Sequence, residues 1–332
     1  MKFKSVAVTT IQFVIVLFLV TFGITLLVRL LPGDPVSTLM PFATEETRLE
    51  LSKELGLDAN IFQYYFSWLG DFVTGDLGTY YASTGDGGGV AVTEMLAVAI
   101  PRTLLLMIYV IGFSLLVSIP IGILLAYRAG SRLDNVISNT MFTISAIPAF
   151  ALGLGLAFVF GVKLNWVPVL GYEPISQGIG KHLKSMALPT VSLSIGYIAT
   201  FSRLLRVDTI ATLREDFVTM ASSKGLSNSW ILWRHVFRPS SSGILTVAGL
   251  NMAGLIGGSV FIETVFALNG FGNLLAVSIA TRQYLAIQSL VAIVAIAFLV
   301  FNLIFYFLNS FFYQVVHFPI FLCIAYIENE VT

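Results

Sequence analysis

The chain has 332 residues, 57% of them hydrophobic and only 11% charged, with 18 Lys and Arg against 18 Asp and Glu. A soluble domain carries about 25% charged residues, so the composition argues against one and for a polytopic membrane protein, and the zero net charge gives nucleic acid no basic surface to bind. The single Cys323 excludes an intrachain disulfide and a multi-cysteine metal site.

No charge occurs from Val6 to Val28, enough for one helix across a hydrocarbon core of about 30 Å. Lys2 and Lys4 precede this run and hold the N-terminus in the cytoplasm, so the first span runs outward. The run is too long for a cleaved signal peptide and has no small-x-small cleavage site. Arg29 ends it, and Leu30-Leu31-Pro32-Gly33-Asp34-Pro35 is a turn signal. Residues 32–99 form a large external loop region. Within it Thr44 is placed to N-cap a helix through Leu55, with Glu45 and Glu46 in the first turn and Gly56 after its end. Asn60 to Phe72, rich in Tyr and Phe and containing Trp68, reads as a helix near the membrane surface. Gly75-Asp76-Leu77-Gly78 is a turn, and residues 84–89 read as flexible.

Pro101 to Ala126 is the second span, and the basic loop Arg128 to Arg132 after it belongs inside. Asn135 to Val162 is the third, kinked at Pro148. The fourth, Ser185 to Ser202, is short and polar, with Pro189, Thr190, Ser192, Ser194, Gly196 and Thr200. Such residues favour helix contact or a wet cavity over lipid. The fifth, Ser240 to Ile262, carries five glycines and Asn251, the composition of a helix packed on most sides. Glu263 follows at the outer end, where solvation would make a carboxylate cheap, and Arg282 is a candidate charge partner. The sixth span begins near Leu285; no Asp, Glu, Lys or Arg occurs between Arg282 and Glu328. Residues 309–332, with His317 and Pro319, carry no functional reading.

The stretch from Ser202 to Pro239 is the most charged in the chain and lies between two spans, which places it in the cytoplasm. Apolar residues at helical spacing predict one helix from Ser202 to Lys224, ended by Gly225 as the C′ glycine. Ser227 is placed to N-cap a second helix through Phe237, and Pro239 either closes that helix or starts the next span. The product is an elbow of small residues, Ala221, Ser222, Ser223 and Gly225, which another protein surface could approach closely. By composition alone, a solvated basic loop is an equal alternative.

Arg214-Glu215-Asp216-Phe217-Val218, Ala221, Lys224-Gly225-Leu226-Ser227, Arg234-His235 and Arg238 resemble the cytoplasmic coupling loop of bacterial ABC importer permeases. More narrowly, the chain resembles the first permease of the dipeptide/oligopeptide/nickel family. The resemblance runs from about Leu30 to Leu290 and includes Pro32-Gly33-Asp34-Pro35, Glu54 to Asp58, Gly75 to Gly78, and Ser145 to Phe150. The sequence departs at Thr219-Met220, at Pro239 and Gly243, and at Asn269. The resemblance implies an all-α polytopic membrane protein with six transmembrane helices of the type I, binding-protein-dependent ABC importer permease fold. It implies that residues 202–239 insert into a groove on an ATPase subunit. It gives Glu263 to Phe266, followed by Gly270-Phe271-Gly272, the place of an outer gate, and makes Ser145 and Pro148 either pathway-lining or an ordinary packing kink. Ser194 and Asn251 are further candidates for the pathway, from the polarity of their spans.

The implied division is residues 1–31 as cytoplasmic N-terminus and first span, 32–99 as external region, 100–312 as permease core and 313–332 as an atypical tail. The implied partners are a second homologous permease, two ABC ATPase subunits, an extracytoplasmic substrate-binding protein and the lipid bilayer of a bacterial or archaeal cytoplasmic membrane. No G-x-x-x-x-G-K-[ST] loop is present, so ATP and Mg are expected on the ATPase partners and the chain itself is expected to be no enzyme. His182, His235 and His317 form no H-x-x-x-H pair, and no Ser, His and Asp arrangement is recognisable, so neither a metal nor a catalytic residue is expected. Two rival functions are an ABC permease for nickel or another small solute, and an ion-gradient-driven transporter. The second would carry ionisable residues inside its spans.

Overall fold

The computed structural model describes residues 3–30, 35–39, 44–81 and 89–305. The turn expected at Pro32-Gly33-Asp34, residues 84–88 of the stretch read as flexible and the tail with His317, Pro319 and Cys323 lie outside the described residues. Among the described residues, the regular structure apart from one short hairpin is helical. The helices are α1 Phe3–Leu30, α2 Pro35–Leu39, α3 Glu45–Glu54, α4 Ile61–Thr74, α5 Val92–Tyr127, α6 Arg132–Ser145, α7 Ala149–Leu156, α8 Ile179–Leu213, α9 Asp216–Ser223, α10 Asn228–Ile231, α11 Phe237–Gly258, α12 Val260–Val265 and α13 Phe271–Ala280. A fourteenth, α14, runs Tyr284–Phe305. The hairpin pairs β1, Thr79–Tyr81, with β2, Gly89–Ala91.

Among the described residues four helices are long and apolar enough to cross a membrane: Ile11–Leu30, Val92–Tyr127, Asn228–Gly258 and Tyr284–Phe305. α6 and the helix Ala149–Lys163 make a fifth if counted together, but they are bent by 97°. The sequence predicts one kinked span here. Instead Pro148 is extended, with φ −56° and ψ 135°, and starts a new helix. Its missing N–H and the restriction its ring places on Ile147 interrupt the ladder completely.

The chain divides into two units. The first takes in residues 1–105, 170–172 and 256–299. Thr44 caps α3 as expected, its hydroxyl accepting from the Thr47 N–H, and Asn60 caps α4 through the Phe62 N–H. Both caps are short polar side chains at extended positions, which satisfy an amide the helix cannot. α4 is more than a surface helix. It buries Tyr64, Tyr65 and Trp68. The Tyr65 hydroxyl meets Thr21 of α1 at 2.8 Å, the Tyr64 hydroxyl donates to Gln288 at 2.9 Å, and the Trp68 indole donates to Ser289 at 3.2 Å. Each buried polar tip thus finds a partner, which is what makes Tyr and Trp tolerable there. Arg29 stacks over Tyr64 and donates to the Gly56 and Ala59 carbonyls. Gln283 clamps the hairpin, accepting from the Tyr81 N–H and donating to the Tyr81 carbonyl.

The second unit takes in residues 106–169, 173–255 and 300–332. Within it α5 and α8 meet through serines. Ser114 donates to the Ser194 carbonyl, Ser194 to the Val110 carbonyl and Ser202 to the Ser118 carbonyl. One turn on from Ser118, a Cβ at Gly122 would lie 3.0 Å from the Ser202 carbonyl oxygen. Small residues therefore let the two backbones close up. Two of the polar residues of the expected fourth span, Ser194 and Ser202, are thus spent on α5, while Ser192 bonds to the Leu188 carbonyl of its own helix. The helix that carries these residues, α8, starts before the expected Ser185, at Ile179, and continues through Leu213.

Candidate coupling elbow and buried gate carboxylate

The charged stretch folds as three pieces. α8 stops at Leu213, Arg214 and Glu215 break the helix, and α9 starts at Asp216. The single helix expected from Ser202 to Lys224 is thus two helices, with Glu215 extended at the N-cap of α9. Gly225 ends α9 as predicted. Its φ is +77°, its N–H donates to the Ser222 carbonyl and the Leu226 N–H donates to the Ala221 carbonyl. This is a Schellman close, and it needs a left-handed residue that only glycine adopts cheaply. Ser227 occupies the N-cap of α10, without a side-chain capping bond. Pro239 does not end that helix. Residues 228–258 run on as one, through a π-helical turn at Leu232–Val236 that donates the Phe237 N–H to the Leu232 carbonyl. The widened turn lies over residue 235, the position that the Pro239 ring would otherwise strike.

The elbow has an inner and an outer face. Val218 and Ala221 of α9 are buried, as are Ile231, Leu232 and Val236. Ala221 thus belongs to the packing of the elbow. Arg214, Glu215, Asp216, Lys224, Gly225, Leu226, Ser227 and Arg234 are exposed, while Phe217 and His235 are half-buried. Besides Leu226, already among the expected docking residues, Met220, Trp230 and Trp233 are exposed apolar groups on this outer face that the sequence reading does not assign to docking. The His235 ring lies 5.0 Å from that of Trp230. Exposed tryptophans beside arginines and a methionine have the composition of an interface centre. The signal was in the sequence, as Trp230 and Trp233, but helical pattern alone leaves their facing open.

Glu263 is fully buried rather than solvated at an outer surface. It accepts from the Thr103 hydroxyl at 2.7 Å, the Ser259 hydroxyl at 2.9 Å and the Asn273 N–H at 3.0 Å. None of these partners is a cation, so the expected pairing with Arg282 does not form its site. Asn273 lies in the first turn of α13, whose N-cap is Gly270 and brings no side chain. The Glu263 carboxylate supplies that cap from α12 instead. A Cβ on Gly270 would stand 2.6 Å from both Glu263 Oε2 and Thr103 Oγ1. Thr103 completes the knot by accepting from the Phe271 N–H at 2.8 Å. Burial pushes the Glu263 carboxyl up from its ordinary value, and the hydrogen bonds of Thr103, Asn273, Ser259 and Gly272 pull it down without cancelling that effect. Phe266 closes α12, is buried, and accepts the Gly171 N–H through its carbonyl at 2.9 Å. Thr103 carries no signature in the sequence, because α5 is remote from α12 along the chain.

The other pathway candidates do not come together at one place. Ser194 is completely buried and committed to α5. The Asn251 side chain donates to the Val247 carbonyl of its own helix. Pro148 is exposed at the start of α7, and Ser145 is exposed at the end of α6, bonded to the Phe142 carbonyl.

Residues 118–317 match the family of the binding-protein-dependent transport system inner membrane component. The chain is 32% identical over 290 residues to the probable peptide ABC transporter permease protein y4tP of Sinorhizobium fredii, covering 87% of this chain and 91% of that one. It is 33% identical over 289 residues to the oligopeptide transport system permease protein AppB of Bacillus subtilis, covering 85% and 90%. The glutathione transport system permease protein GsiC of Escherichia coli is 29% identical over 289 residues, covering 87% and 90%. Among solved structures, the inward-facing MetNI methionine ABC transporter matches with a TM-score of 0.52 at 16% identity, over 67% of this chain and 96% of that one. At that identity the likeness shows a shared fold. With apolar helices long enough to cross a membrane and a family match over more than half its length, this chain is a multi-pass protein belonging to the family of inner membrane components of binding-protein-dependent transport systems.

Proposed function

We propose that the chain is one membrane-spanning half of a type I ABC importer for peptides, with six spans, a cytoplasmic N-terminus and an external region after the first span. α8 completes the count as a span shielded from lipid by its contact with α5. The reading of the cargo rests on the relatives named for peptide and oligopeptide transport. A second permease subunit, two ATPase subunits that hold ATP and Mg, and an extracytoplasmic binding protein complete the machine.

The observation that carries this reading is the elbow around Gly225. Its inner face is fixed by packing, and its outer face presents Met220, Leu226, Trp230 and Trp233 among Arg214, Lys224 and Arg234. ATP-driven closure of the ATPases moves this elbow, and the α8 and α11 helices on either side carry the movement into the membrane. ATP biases the equilibrium only by binding one of the two states more tightly. The α12–α13 knot around Glu263 is the fixed part of an outer gate, with Phe266 at its edge. Ser145, Pro148 and Asn251 are the remaining candidates to line the path, and Ser194 acts as a helix contact beside it.

Gly225→Trp tests the docking assignment. Nothing lies within 4 Å of a Cβ at Gly225, so the position is open where a side chain would leave the backbone. Gly225→Ala carries the same left-handed backbone cost, about 1–2 kcal/mol, without the bulk. Gly225→Trp should insert normally, lose the co-purifying ATPase subunits and abolish ATP-dependent peptide uptake, while Gly225→Ala retains most of each. Normal uptake by Gly225→Trp removes the assignment.

A further inference from the structure

A groove of about 430 Å³ runs between α6 and α8, within the second unit. One wall is the α6 stripe Asp134, Ser138, Met141 and Ser145, which repeats at helical spacing. The other is Ala199, Arg203 and Arg206 of α8. Its two ends differ in chemistry. At one end Arg206 grips Asp134 with two parallel bonds, Nε to Oδ1 at 2.8 Å and Nη2 to Oδ2 at 2.6 Å. The Gly130 N–H and the Ser138 hydroxyl also donate to Asp134. The carboxylate is therefore used up, and only 2% of its side chain is exposed against 27% of Arg206. Arg206 keeps its Nη1 edge for something else, and Arg203, one turn earlier, is exposed with no acidic partner among the described residues. At the other end lie Met141, Phe142 and Ala199, with Phe142 70% exposed.

We propose that this groove binds the phosphate headgroup of an anionic phospholipid, with Arg203 and the outer edge of Arg206 on the phosphate and an acyl chain along Met141 and Phe142. The polar end adjoins the basic loop Arg128 to Arg132, where the cytoplasmic headgroups lie in the orientation proposed above. Met141 is seven residues further into α6, about 10 Å deeper at 1.5 Å per residue. Charge at headgroup depth and apolar contact at acyl depth fit one amphiphile, and fit neither a free anion nor a peptide end. A basic pocket between membrane helices, facing the anionic leaflet, is the general form of such sites.

Native mass spectrometry of the assembled transporter, exchanged into detergent with phosphatidylglycerol or phosphatidylcholine, tests the site without reading transport. The wild-type complex should retain phosphatidylglycerol on this chain in preference to phosphatidylcholine. Arg203→Gln should weaken that retention about fivefold, the factor for one basic contact at an anionic lipid surface. Ala199→Phe, which fills the apolar end without changing charge, should weaken it as well, and Arg48→Gln on α3 should not. Equal retention of the two lipids, or unchanged retention in either groove variant, overturns the proposal. So does displacement of phosphatidylglycerol by inorganic phosphate, which would mark a soluble-anion site, or loss of Arg203 exposure to the second permease in the assembled complex. A transport defect in Gly225→Trp has no bearing on these outcomes.

Discussion

Glu263→Ala should destabilise the protein far more than its place between two spans suggests. The substitution removes the acceptor for three donors held within 3.0 Å, at Thr103, Ser259 and Asn273. The two hydroxyls can turn: Ser259 already has a second acceptor in the Ile256 carbonyl. The Asn273 N–H is fixed at the start of α13 and cannot. That stranded buried amide is the lost helix cap, and it costs about 1–3 kcal/mol. With the void left by a buried side chain, the total is about 3–5 kcal/mol. A solvated glutamate would cost less than about 0.5 kcal/mol. The two readings therefore differ by several kcal/mol, which is easily resolved. The assay is thermal unfolding of the purified complex in nanodiscs, with limited proteolysis between α12 and α13. Glu263→Ala should lower the midpoint and open that segment, and Glu263→Gln, which keeps the volume and one acceptor, should do less. Thr103→Val should cost less when added to Glu263→Ala than alone, because the two share one network, although the Phe271 N–H loses its acceptor in either background. A Glu263→Ala midpoint equal to wild type would refute the trans-capping argument.

Other consequences follow from the same geometry. A Cβ at Gly272 would lie 2.7 Å from the Val260 Cα, a backbone atom that cannot step aside. Gly272→Ala should therefore lower the unfolding midpoint more than Gly225→Ala, whose surroundings are open; equal shifts would contradict this. Asp134→Ala should cost about 3 kcal/mol, the lower end for a broken buried pair, because Arg206 at 27% exposure regains some water; chemical denaturation of the isolated complex measures it. The raised Glu263 carboxyl gives a signed pH dependence. The folded state holds that proton more tightly than the unfolded chain, so its contribution is full below the ordinary glutamate range and declines as pH rises toward the raised value. The Glu263→Gln midpoint should lack this decline, and parallel wild-type and Glu263→Gln pH profiles would show that Glu263 titrates normally.

Local rules made much of this chain legible without a structure. The caps at Thr44 and Asn60, the left-handed close at Gly225 and the start of α14 near Leu285 were all readable, because each depends on the chemistry of neighbouring residues alone. The elbow was readable as a break between helices for the same reason. Periodicity failed at Arg214 and Glu215, where hydrophobic spacing continues although the helix does not. It also failed at Pro148, where a kink and a 97° break have the same local sequence. Tertiary structure alone decided what the polar groups do. Ser194 and Ser202 of α8 bond to α5, and Asp134 of α6 finds Arg206 of α8. Glu263 proved to be a buried cap because donors on α5 and α13 surround it, and nothing in Glu263-Thr264-Val265-Phe266 names them. A carboxylate's role is set by what shares its low-dielectric surroundings, and those partners come from far along the chain.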